Sequence, residues 1–145
     1  MNKIVYITLL LITFVVISCE RGEEKILLDS SIIGEWQVIT YLDGDPVSTT
    51  FPLSIYYDNT SGPDSITLRD SAKYFWNFQV KASANHEDGT FETKKSICTL
   101  CNYGIGVKIF NGKIINSDSI YFEIQFEDDE IPYGNTFQLK GHRTK

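Results

Sequence analysis

The sequence predicts an all-β fold, a small antiparallel up-and-down barrel, with an open β-sandwich as the alternative that fits the same pattern. Three observations carry this. Two segments alternate apolar and polar residues with period two. Turn dipeptides recur at short intervals. No long helical period appears anywhere. The chain has 145 residues, 42% of them hydrophobic and 22% charged, with a formal net charge of −6. That length makes one domain. Two tryptophans, eight tyrosines and nine phenylalanines supply a packed core. Ten glycines and four prolines are too few for a collagen-like or proline-rich disordered chain. The acidic balance argues against nucleic acid as a partner, because a phosphate lattice must meet a basic surface.

The strands follow in order. Residues 33–42 open the domain, and Asp43-Gly44-Asp45-Pro46 turns the chain. Strands at 52–57 and 65–68 flank the turn-rich stretch 58–64. In 73–82, Tyr74, Trp76, Phe78, Val80 and Ala82 share one face, which predicts a strand. Asp88-Gly89 leads into 90–97. Segments 103–110 and 113–115 flank Asn111-Gly112, the strongest short hairpin signal, because a type I′ turn needs positive φ twice. In 119–127, Ile120, Phe122, Ile124 and Phe126 alternate with polar residues. Tyr133-Gly134-Asn135 precedes a last strand at 136–143. Only 27–33 has the character of a short helix or turn.

The N-terminus is of another kind. Lys3 precedes an apolar run over residues 4–17, too short for a permanent span and right for a secretory signal. The run ends in Val16-Ile17-Ser18-Cys19, which resembles the lipobox of bacterial lipoproteins. The resemblance implies a signal peptide over 1–18 and a lipidated Cys19. Its thiol is the nucleophile that can accept a diacylglyceryl group. Residues 19–29 then form a charged tether, and 30–145 the all-β domain. Acidic residues just past Cys19 resemble the surface-export signals of Bacteroidota lipoproteins. The implied home is the cell envelope, at the outer membrane, on its periplasmic or its outer face.

The first strand begins Ile33-Gly34-Glu35-Trp36. A Gly-x-Trp here resembles the opening motif of lipocalins and lipocalin-like bacterial lipoproteins. In that family an arginine near the chain end packs over the tryptophan and closes the barrel base. Arg143 stands where such a residue would be, so the resemblance implies a Trp36–Arg143 closure. It also makes Trp36, Trp76, Phe78, Phe122 and Phe137 inward candidates for contact with an apolar ligand, or plain core.

Chemistry-bearing motifs are few. Cys98-Thr99-Leu100-Cys101 is the one cysteine pair besides Cys19, and outside the cytoplasm it is expected to form a disulfide across a turn. A redox role needs a helix that nothing here supplies. Zinc would need Cys98, Cys101, His86 and His142, and the histidines lack ligand spacing. Glu127-Asp128-Asp129-Glu130 lacks a calcium-loop pattern and reads as a solvated tip, and Asp43-Gly44-Asp45 as a turn. Gly-x-Ser-x-Gly, phosphate-loop and His-Glu-x-x-His motifs are missing. The expectation is therefore a lipid-anchored, non-catalytic binding domain without metal or cofactor, its partner a small apolar ligand or an envelope protein. The alternatives are an interaction module of an envelope assembly, or an inhibitor of a secreted enzyme acting through a loop at 85–89 or 127–135.

Overall fold

Nine strands are laid down almost without interruption in the computed structural model, which describes residues 32–70 and 72–145. They are β1 Gly34–Leu42, β2 Asp45–Pro46, β3 Phe51–Tyr57, β4 Ser65–Asp70, β5 Gln79–Asn85, β6 Thr90–Ile97, β7 Gly106–Asn116, β8 Ser119–Phe126 and β9 Phe137–Arg143. Apart from the two-residue β2, which pairs only with β1, each strand hydrogen-bonds its sequence neighbours. β9 then returns to β1 with Trp36 opposite Arg143 and Tyr41 opposite Gln138. The sheet thus closes into an eight-stranded antiparallel up-and-down barrel and leaves no long free edge. The open sandwich is excluded by this β1–β9 pairing.

Period-two patterning places the core. Trp36 and Val38 of β1, Leu53 and Ile55 of β3, and Phe122, Ile124 and Phe126 of β8 all point inward and are buried. β5 contributes the small Ala82 and Ala84, while β6 opposite them brings Phe91, whose ring lies 5.7 Å from that of Phe122. Large and small residues thus share the interior. At the closing seam Gly141 stands opposite Val38, and a Cβ there would lie 2.6 Å from a Val38 methyl carbon. Glycine lets β9 approach β1.

Two sequence expectations are corrected. The hairpin at Asn111-Gly112 does not form: β7 runs straight through it from Gly106 to Asn116. Asn111 has φ 53, and the registers against both β6 and β8 shift there, so the dipeptide makes a β-bulge. Gly112 lies on the barrel's inner side, where a Cβ would stand 2.6 Å from the Phe91 ring. The two-residue turn with positive φ twice is instead Asp43-Gly44, at φ 51 and 92 between β1 and β2. The second correction concerns 73–82. Strand pairing begins only at Gln79, and the chain before it folds over the barrel end. Lys73 and Asn77 have φ 59 and 49, which breaks a regular strand twice within five residues. The expectations for 1–29, including Cys19, and most of the one for 27–33 lie outside the described residues.

Candidate functional site

Because the connections alternate ends, the loops fall into two groups. At one end lie the chain entering β1, the β3–β4, β5–β6 and β7–β8 turns, and the C-terminus. At the other lie 43–50, 72–78, 98–105 and 127–136.

The first end is sealed by two residues. The Arg143 guanidinium carbon sits 4.3 Å from the centre of the Trp36 ring. Its Nη1 donates to the Ile33 carbonyl at 2.8 Å and its Nε to that of Ser117 at 3.2 Å. The Trp36 indole NH donates to the Ile32 carbonyl at 3.2 Å. A cation over an indole contributes about 0.5–2 kcal/mol. The same guanidinium ties β9 to the start of β1 and to the β7–β8 turn. Gly34 makes room: its φ is 141, and a Cβ would stand 2.5 Å from Arg143 Nη1.

The second end is closed by a plug. Asp70, fully buried at the end of β4, accepts backbone NH groups from Ala72 at 3.2 Å, Phe75 at 3.0 Å and Asn77 at 3.3 Å. A carboxylate offered three amides wraps the chain around itself in place of a strand ladder. The wrap turns Phe75 inward, its centroid 5.1 Å from Phe137 and 5.9 Å from Phe126. Trp76 stacks on Phe126 at 4.3 Å and 8°. Phe78 lies 6.0 Å from Phe126.

Beside this plug the disulfide Cys98–Cys101, with Cα atoms 5.3 Å apart, staples the loop after β6. Between plug, stapled loop and the 127–136 loop lies a hollow of about 240 Å³. Trp76, Leu100, Cys101 and Ile105 give it apolar walls, and Asn77, Asn102 and Asp128 a polar lip. It is small for a complete ligand site and of a size for part of an apolar chain.

The five aromatics therefore do not line one cavity. Trp36 seals the first end, Phe122 packs mid-barrel on Phe91, and Phe78 and Phe137 belong to the plug cluster. Trp76 alone of the five borders the hollow. Sequence reasoning missed Phe75 and Asp70, which build the plug. The one available signal was an aspartate followed seven residues later by Asn77, a type that accepts turns.

A second, larger concavity of about 930 Å³ lies on the outer wall across β5–β8. Here the Tyr121 hydroxyl donates to Glu123 at 2.6 Å, and the Asn111 amide to the same carboxylate at 2.8 Å. Partial burial, then the hydrogen bond and charge of Glu123, push the Tyr121 hydroxyl up to about 12. A third group joins Lys81 to Asp58 at 2.6 Å, Ser61 Oγ at 3.0 Å and Thr60 Oγ1 at 3.1 Å. The Lys81 hydrogen bond, followed by those of Thr60 and Ser61, holds the Asp58 carboxyl far below the usual carboxylate range. Lys81 Nζ thus donates to Asp58, Thr60 and Ser61 together.

The residues weighed for zinc do not converge. Cys98 and Cys101 are bonded to each other at the plugged end, while His86 and His142 lie at the other. Among the described residues no group of three His, Cys, Asp or Glu side chains is placed to hold a metal.

A family model described as "Lipid-binding putative hydrolase" matches residues 26–145. The chain belongs to that family. Among solved structures it is similar to a redesigned β-barrel, at 13% identity over 82% of this chain and 96% of that one, with a TM-score of 0.51. At that identity the likeness speaks for the fold alone. No curated protein matches the chain. Membership of a lipid-binding family directs attention to the apolar hollow at the plug rather than to the polar outer wall.

Proposed function

We propose that the protein is a cell-envelope lipoprotein, anchored through a diacylglyceryl-modified Cys19 at the outer membrane. Its barrel binds an apolar or amphiphilic ligand at the plugged mouth without transforming it. The observation that carries the binding half is the hollow walled by Trp76, Leu100, Cys101 and Ile105, at the end of a barrel otherwise filled by its own side chains, in a chain of a lipid-binding family. The anchor half rests on the lipobox-like Val16-Ile17-Ser18-Cys19. Polar groups elsewhere are paired to one another, which suits a wall more than a catalytic centre.

Trp76 is its own reporter. Titration of the full chain with dibromostearate quenches indole emission when the brominated chain enters the hollow. Trp76→Phe leaves Trp36, at the far end of the barrel, and abolishes the quenching. Unchanged quenching in that variant, or none in the parent, refutes the ligand reading. Metabolic labelling with an alkyne palmitate in the native host tests the anchor separately. Cys19→Ala loses the label, and equal labelling of both chains refutes it.

A further inference from the structure

We infer that the plugged end of the barrel is a lipid-surface docking face, and that it favours zwitterionic headgroups. The inference rests on the reading of that same end as the apolar-ligand site. Loop tips are ordinarily polar. Here all four loops of one end expose large apolar side chains or carry them beside the tip: Val47, Tyr74, Ile97, Leu100, Tyr103 and Ile131. These are six of the nine such exposed side chains among the described residues. One of them, Leu100, lines the hollow beside Trp76. An exposed apolar cluster of this kind marks a surface that is covered in use.

The most projecting member is built to project. Tyr103 is 100% exposed and held at φ 65, a left-handed conformation that tyrosine adopts only under constraint. The Cys98–Cys101 disulfide closes the same loop two residues before it. Tyrosine, with an apolar body and a polar tip, is suited to the headgroup boundary.

Charge selects the lipid. The same loops carry Asp43, Asp45, Glu127, Asp128, Asp129 and Glu130 against the cation Lys73, with Lys95 of β6 paired to Glu127 at 3.8 Å and Lys108 of β7 over the Tyr133 ring. Carboxylates in this ring repel anionic headgroups and attract the outermost ammonium of phosphatidylcholine or phosphatidylethanolamine. Reach permits the arrangement. Thirteen residues from Cys19 to Ile32 span at most about 45 Å. The nine residues of β1 run about 30 Å. An anchor joined at the Trp36 end therefore allows the opposite end to rest on the bilayer.

The test uses the full lipidated chain in vesicles whose phosphatidylcholine carries brominated acyl chains. One tryptophan is added by Tyr103→Trp, or by Ile115→Trp on the outer wall as control, and the emission of Trp36 and Trp76 is subtracted with the parent chain. The tryptophan added at position 103 is expected to be quenched severalfold more than the control. Replacing part of the phosphatidylcholine by phosphatidylglycerol is expected to reduce that difference. Equal quenching at both positions, or none at 103, overturns docking. Quenching that grows with phosphatidylglycerol overturns the headgroup preference. A position 103 shielded only when a second protein is added assigns the face to a protein partner and overturns the lipid reading. Failure of any arm leaves dibromostearate quenching of Trp76 intact, so loss of docking is distinguishable from loss of ligand binding.

Discussion

Arg143 shows how much one side chain near a terminus can do. It covers Trp36 with its charge and gives hydrogen bonds to the carbonyls of Ile33 and Ser117, which belong to two separate connections. Arg143→Leu removes the cation and leaves both carbonyls without this donor. A loss of about 1–3 kcal/mol is expected, read as a lower urea midpoint with an unchanged slope. Arg143→Lys recovers only part, because an ammonium cannot lie flat on the indole while reaching two carbonyls. Tyr121 carries a pH prediction. Burial and Glu123 raise its hydroxyl to about 12 from the ordinary 10.0. The unfolded chain thus ionises first, and this contribution to stability is complete below pH 10 and fades as pH rises toward 12. Phenolate absorbance should show one tyrosine titrating late. Glu123→Gln lowers its midpoint, with the burial share remaining. If Glu123→Gln leaves the midpoint where it was, the carboxylate is not a cause.

At the scale of elements, the strands were legible wherever side-chain alternation and backbone pairing coincide. The 119–127 segment is the clearest: Ile120, Phe122, Ile124 and Phe126 read as one face, and all four are buried in β8. Legibility failed where a single residue diverts the backbone. Asn111-Gly112 and Asp43-Gly44 carry the same local signal, and only the second turns the chain. The difference is tertiary: β7 is flanked by β6 and β8 on both sides of its bulge, and turning there would strip Ile114 from Ile120. Gly112→Ala tests this. Its methyl meets the Phe91 ring and carbonyl, so a cost of about 1–3 kcal/mol is expected in thermal or urea unfolding. Asn111→Gly loses one exposed hydrogen bond and gains freedom at φ 53, so stability changes by less than about 1 kcal/mol. A cost below about 0.5 kcal/mol for Gly112→Ala is incompatible with the Phe91 contact.

For the whole molecule, the question is what keeps a filled barrel able to bind anything. One end is locked by side chains from the two strands that close the sheet. The other is closed by a loop held by one carboxylate, and that asymmetry locates the movable part. It was not readable in the sequence, because even-numbered apolar residues from Tyr74 to Ala82 imitate a strand while Asp70 withdraws the amides of Phe75 and Asn77 from any ladder. Asp70→Ala leaves three amides of the plug without their acceptor. The segment 72–78 is then expected to open at a much smaller free energy than the barrel. Hydrogen exchange at Phe75 and Asn77 accelerates, while the β1–β9 seam from Trp36 to Tyr41 keeps its protection. Trp76, one wall of the hollow, moves with the segment, and dibromostearate binds more weakly. Asp70→Asn keeps one carbonyl oxygen and falls between parent and alanine variant. If exchange accelerates equally in plug and seam, the carboxylate holds the entire barrel rather than a door in it. If plug exchange rises while fatty-acid affinity also rises, the plug is the cover of the binding surface and not its wall.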